Sequence, residues 1–583
     1  MKPILILYLI LLPLASATSQ SNREITGRIL NATTKEPVAY ANVYNKTLEK
    51  GTISNLDGYF RVPVRDVRDS VMIIYVGYQT QRIALGSQND YTIYLEESIQ
   101  LLNEIVVRPK DNSYLADLLM RCRNKGSDYH ASAKAYYELK TYKDFHQIEL
   151  EEGYYNADIQ GYALNGLTLK AGRLALQPYE NRLFASLESS RAITMMRLMN
   201  KSNYFPDNPM NLTKGEIKRY YYLDLDKKYL SNESDSIYVI DFQPKDTTGL
   251  YFSGRIWVNA SKDRLIKINL TCPACRRHPF IPLFHTDSIA NVSFDITMTF
   301  STQDQEMAFN HIDFTYTVDY KSRAREQQKL NYSIQTEAIL YVYDFHNTFF
   351  IPSLDMRVSE LDDYRKLNAM PYNDFFWAYH DEYKLNDNRN SNELYFNDPE
   401  SITNRSIFTN NRMLKGKLFE RPFVTWSTDR VFFKEISTDT MKSPSLGEVN
   451  ADKYNLEVKH FLDINTYRDS TNILSSTIFD PYESYYHLPI DSKANCFINI
   501  YFDLCEIERR KLEKDISVAL PDMDLVQEVY NQFEDRLEKQ KYQFLKAVDR
   551  GINQLETIKW NTYVFDHLGI DNIAIFKPFE GSK

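Results

Sequence analysis

The chain has 583 residues, with 69 Lys and Arg against 78 Asp and Glu and a formal net charge of −9. This acidic balance argues against a nucleic-acid partner, and five cysteines are too few and odd in number for a disulfide scaffold. At roughly 150 residues per domain the length suggests three or four domains.

Residues 1–17 read as a secretory signal peptide. Lys2 is a short positive region, Ile4 to Leu14 is apolar, and Ala15-Ser16-Ala17 is an A-x-A cleavage site. The next Cys is Cys122, so no thiol is offered for a lipid anchor at a new N-terminus. No later run reaches about 18 apolar residues, so no transmembrane helix is expected. The chain is expected to be exported, to the periplasm or the outer membrane.

Residues 24–97 read as short strands with turns between them: EITGRIL, YANVYN, YFRVPV, SVMIIYVGY and YTIYLEE. Asp57-Gly58 is a tight-turn pair ahead of a strand. Gly51, Gly58 and Gly77 sit where turns or close approach need no side chain. Val43, Phe60, Val62, Ile73 and Tyr75 are the expected core. Some seven strands in this length predict a small β-sandwich.

The order ITGRI, EPVAYANVY, GTISNLDGYFRV, VGYQTQRI, YTIYL resembles the carboxypeptidase regulatory-like domain. The resemblance implies a transthyretin-like sandwich of the Bacteroidota cell envelope. It also implies a placement module, because this domain holds no catalytic residue in carboxypeptidases. LLNEIVVRP, residues 101–109, resembles the segment after this domain in TonB-linked outer-membrane proteins. Residues 98–112 then serve as a linker.

Residues 113–355 read as a β-rich middle domain. SYLADLLMRCRNKGSD, residues 113–128, predicts an amphipathic helix with Leu115, Leu118, Leu119 and Cys122 on one face. In NVSFDITMTF, Val292, Phe294, Ile296 and Met298 face one way and Ser293, Asp295, Thr297 and Thr299 the other. Asn259 to Asp263 reads as a hairpin loop. A large antiparallel sheet with a few helices follows. NSYLADLLMRCRNK, AYYELKTY and FSGRIWVNASKDRLIKI resemble an uncharacterised Bacteroidota family with the same sandwich in front. Many of its members continue into an outer-membrane barrel; here the C-terminus reads as helical. A curved sheet of this kind can hold a lipid or glycan on its concave face, or close as a core under helices.

The sharpest chemical cluster is TCPACRRHPFIPLFH. Cys272, Cys275, His278 and His285 have the donor types for tetrahedral zinc. The C-x-x-C can instead be a local disulfide, a pair of thiols or a redox pair, although the redox motif needs a helix after its first Cys and two prolines follow here. His146 and Glu149 have the H-x-x-E spacing of a metallocarboxypeptidase zinc pair, with His278 or His285 as nominal third ligand. On a strand that odd offset turns the two to opposite faces, which disfavours a zinc peptidase. Asn386 to Glu393 lacks the alternating carboxylates that calcium needs.

Residues 356–490 read as a mixed, aromatic-rich region. Phe375, Phe376, Trp377 and Tyr379 can pack on the middle sheet or stack on a sugar ring. Residues 491–583 read as helical. Phe497, Ile500, Tyr501 and Leu504 form one apolar face; a second helix follows Pro521-Asp522 with Val526, Val529, Tyr530, Phe533 and Leu537. Cys496 and Cys505 lie about 13 Å apart along the first helix and are not expected to pair.

The sequence thus predicts an α+β multidomain chain: sandwich, β-rich middle, helical end. It predicts a non-catalytic envelope protein that binds or assembles with an unidentified protein, glycan or lipid, and requires no cofactor.

Overall fold

The computed structural model describes residues 23–97, 113–176, 189–282, 287–322, 330–352, 367, 373–379, 424–431, 454–480, 484–486 and 490–580, less residues 49, 56, 66, 76, 77, 232–234, 468 and 469. The signal peptide, Gly77, residues 101–109, His285 and residues 386–393 lie outside these. The chain forms two compact units, one built on residues 23–97 and the other on residues 113–580.

The first unit has seven strands: β1 (Arg23–Asn31), β2 (Asn42–Asn45), β3 (Lys50–Ile53), β4 (Tyr59–Val64), β5 (Ser70–Ile74), β6 (Gln81–Ala84) and β7 (Asp90–Leu95). They form two sheets, ordered β4-β1-β7 and β3-β2-β5-β6. Alternation along β1 buries Ile25 and Ile29, which join Val43, Phe60, Val62 and Ile73 in one core. This is the expected sandwich; Tyr75 is only partly buried at its edge. The turn before β4 is built by Asn55, whose Oδ1 accepts from the backbone N–H of Asp57 (3.0 Å) and of Tyr59 (2.8 Å). Gly58 has φ +79°, and a Cβ there would lie 2.3 Å from the carbonyl oxygen of Ile29. Only glycine fits both the dihedral and the space.

The second unit opens with α1 (Ser113–Lys125), whose buried residues include Leu115, Leu118, Leu119 and Cys122 as the periodicity predicts. Ten strands follow: β8 (His130–Lys143), β9 (His146–Gln160), β10 (Ala163–Leu176), β11 (Tyr221–Leu230), β12 (Ser236–Pro244), β13 (Ser253–Asn259), β14 (Arg264–Cys275), β15 (Ser288–Gln303), β16 (Glu306–Ser322) and β17 (Leu330–Tyr343). They form one antiparallel sheet, ordered β10-β9-β8-β17-β16-β15-β14-β13-β12-β11. Asn259 and Arg264 flank the expected hairpin loop, tied by the Lys262 amide to Asn259 Oδ1. On β15 Val292, Phe294, Ile296 and Met298 are buried, as predicted.

The apolar face of this sheet is filled. Leu139, Ile268, Phe294, Phe314 and Leu340 pack with α1, with α2 (Ser189–Met195) and α3 (Lys214–Tyr220), and with Phe205, Met210 and Phe280. Phe280 lies 4.3 Å, centroid to centroid, from the ring of Tyr316.

The aromatic-rich region holds elements that the sequence reading did not delimit. A short helix, α4 (Asp374–Tyr379), is followed by an antiparallel hairpin of β18 (Val458–Tyr467) and β19 (Ser470–Phe479). The alternation was hidden because Lys459, His460 and Asp463 stand among its buried residues. Helices α5 (Ser492–Ala519), α6 (Met523–Val548), α7 (Gln554–Leu568) and α8 (Asn572–Phe576) complete the unit. The sequence predicts one apolar stripe for α5. Instead residues 494–508 are buried on every side, because β19 packs on one flank and α6, α7 and α8 on others. α6 docks through Val526, Phe533, Leu537, Phe544 and Val548, so the two long helices pack within the chain.

Candidate functional site

Cys272 and Cys275 close β14. Cys272 is opposite Phe294 of β15 and Cys275 opposite Val292. Three steps on one strand meet two on the other, which is a β-bulge. The extra residue returns Cys275 to the face of Cys272. Cys272 is buried and Cys275 half-buried. The Cys275 thiol donates to the carbonyl oxygen of Cys272 at 3.3 Å. All five cysteines are free thiols. His278 does not join the two sulfurs: its ring stacks on Phe280, 6.0 Å between centroids. Burial holds its pKa below the ordinary value. Among the described residues no group of three or more His, Cys, Asp and Glu side chains gathers to hold a metal ion. His146 and Glu149 are also separated. His146 is exposed at the start of β9, whereas Glu149 is buried and accepts from Thr141 Oγ1 at 2.7 Å.

A second cluster was not singled out from the sequence. β8 carries Tyr136, Glu138 and Lys140 at alternate positions; Glu138 is opposite Glu152 of β9, and Glu152 is opposite Arg173 of β10. All five are buried. Tyr136 Oη donates to Glu152 Oε1 (2.9 Å) and Glu138 Oε2 (3.2 Å). Arg173 Nε donates to Glu152 Oε2 at 2.6 Å, and Lys140 Nζ lies 2.6 Å from Glu138 Oε1. Burial, then the charges of Glu152 and Glu138, push the Tyr136 hydroxyl well above its ordinary pKa. It therefore stays a donor. α4 covers this layer: the Arg173 guanidinium is 4.0 Å from the ring centroid of Trp377, and Tyr154 meets Phe376 and Trp377 edge-on. Phe376 and Trp377 thus pack on the sheet. Nearby, Lys170 pairs with Asp463 of β18 and donates to the carbonyls of Phe350 (2.8 Å) and Ile464 (3.2 Å). The clue in the sequence was TLKAGRL, two cations in an otherwise apolar strand.

A groove of about 690 Å³ runs between β19, α5 and α7, lined by Asn472, Arg509, Arg510, Lys514 and His567 among others. Its cations are mostly committed. Arg509 binds Glu506 and Glu513, Arg510 binds Glu506 at 2.8 Å, and Lys511 binds Glu508 at 2.7 Å. These are neighbours on one helix, three or four residues apart.

Two features thus mark the molecule: a dithiol at a bulge and a large unit whose buried charges are tied to one another. The first unit adds a third.

Residues 25–107 match the family model of the CarboxypepD_reg-like domain.

Curated relatives match short stretches of this chain. TonB-dependent receptor SusC of Bacteroides thetaiotaomicron is 34% identical over 79 residues, 14% of this chain and 8% of the receptor. TonB-dependent receptor P3 of Formosa agariphila is 26% identical over 102 residues, 18% of this chain and 10% of the receptor. The matched part is a tenth or less of these receptors' length. Among solved structures, a LolA superfamily protein from Nitrosomonas europaea aligns over 40% of this chain and 93% of its own, at 13% identity and a TM-score of 0.16. Among the described residues no helix is long and apolar enough to cross a membrane.

Proposed function

We propose that this chain is a non-catalytic exported envelope protein with a binding or assembly role at the periplasm or outer membrane. In this reading the sandwich is its placement module. The observation that carries it is the CarboxypepD_reg-like domain at residues 25–107, held in common with TonB-dependent receptors. The leader-like residues 1–17 fit export. The large unit fits a scaffold: Glu138, Glu152, Arg173, Lys170 and Asp463 are spent on internal pairs. Its partner would be met through surfaces, and no cofactor is required.

Two experiments test the reading. Deleting residues 23–97 should shift the protein out of the envelope fraction without unfolding the large unit. Assay of residues 18–583 on peptides and glycans should show no turnover. Hydrolysis that a single substitution abolishes would overturn the proposal.

A further inference from the structure

We propose that Cys272 and Cys275 are a modification site, a reversible local disulfide that closes across the bulge of β14. The argument begins with the ladder. Val292 and Phe294, the partners of Cys275 and Cys272, are two residues apart on β15. Two residues of strand span roughly 6.7 Å, so the two Cys Cα atoms are held near that separation. A disulfide accommodates Cα separations of roughly 4.4–6.8 Å. The bulge therefore places both sulfurs on one face at the upper end of the permitted range, and a slight tightening joins them.

The local backbone holds this arrangement from outside. Arg276 N–H donates to the Gly249 carbonyl at 3.0 Å. Gly249 has φ +81°, and a Cβ there would lie 1.9 Å from the Ala274 carbonyl oxygen. The loop carrying Gly249 thus seats directly on the C-x-x-C backbone. Pro273 and Ala274, between the cysteines, are exposed.

The thiols differ in chemistry. Burial pushes Cys122, Cys496 and Cys505 each up to about 12. The neighbouring Cys275 thiol holds Cys272 below the ordinary thiol value, and Cys275 is itself raised. Yet Cys272 is the buried member and Cys275 the accessible one. An exchange catalyst needs its low-pKa sulfur exposed. The arrangement therefore suits closure and storage of the bond.

The oxidant is a disulfide, R–S–S–R, small or protein-borne. One of the two thiols loses its proton and attacks it as the thiolate, giving a mixed disulfide and releasing one thiolate. The other, deprotonated in turn, attacks the protein sulfur of that mixed disulfide and expels the second thiolate. Two protons leave the protein, and the oxidant leaves as two thiols carrying the two electrons.

The test uses the full chain equilibrated in glutathione buffers of stepped ratio, then denatured, alkylated with N-ethylmaleimide and weighed intact. The reduced protein should take five labels, one per cysteine. The oxidised protein should take two fewer, with a bridged peptide spanning residues 272–275. Cys122→Ser should keep the bridge and Cys275→Ser should lose it, with unchanged circular dichroism in both. Full labelling at every ratio, a bridge involving any other cysteine or a second chain, or zinc released on alkylation of the reduced protein would each overturn the assignment.

Discussion

The two units solve the same problem with different side chains. The sandwich buries amides, hydroxyls and one carboxylate beside its apolar core: Asn45 donates to the Pro63 carbonyl and to Asp69, and Ser54 to the Val38 carbonyl. The large unit buries a charged set that includes Glu138, Lys140, Glu152, Lys170, Arg173 and Asp463. Most of the sandwich's buried polar groups are neutral and are satisfied by hydrogen bonds alone. A buried charge is far costlier to leave without its partner, so the large unit is the more breakable of the two.

The sharpest way to break that contrast is at Lys170. Lys170→Met leaves Asp463 buried with, among the described residues, the side-chain amides of Asn373 and Asn465 as donors, at 3.0 and 2.8 Å. Stability of the large unit should fall by about 3–5 kcal/mol. Adding Asp463→Leu should recover most of it, because removing both charges removes the desolvation penalty. Urea titrations of the single and double variants read both.

Acid should do nearly as much, and only to the large unit. Burial lowers His460 to about 4 and His311 to about 3, so both are neutral in the fold. Below about 6.5 the unfolded chain binds protons that the fold cannot accept. Stability is full above that value and falls as pH drops toward the folded values, by about 3–4 kcal/mol in all at pH 5. Residues 23–97 contain no histidine. Calorimetry at pH 7 and pH 5 should move one transition and leave the other.

Gly58→Ala probes the other side. The φ of +79° and the Ile29 carbonyl oppose a Cβ, so the sandwich should lose about 2 kcal/mol. Its melting should drop while that of the large unit holds. The smallest effect is at Asp522, whose carboxylate caps α6 by accepting from the amides of Asp524 and Leu525, both 3.1 Å. Asp522→Ala should cost about 1 kcal/mol in a thermal melt.

The same contrast explains what the sequence made legible. The sandwich and α1 were readable because their periodicity is local: apolar residues inside, polar outside. β18 was missed because Lys459, His460 and Asp463 occupy buried positions, where a charge reads as solvent-facing. α5 was under-read because helices and a hairpin distant in sequence surround it. For the site, the C-x-x-C was visible as a motif, but its same-face placement needed the bulge. The Glu138–Arg173 layer needed α4, more than two hundred residues away, before its charges could be recognised as interior.

The most direct test of the envelope role is cross-linking in the native cell followed by fractionation and detection of this chain. The account predicts that it is found in the envelope fraction, in a cross-linked species heavier than the chain alone and containing a second envelope protein. Finding it in the cytoplasm, unshifted by the cross-linker, would contradict the account.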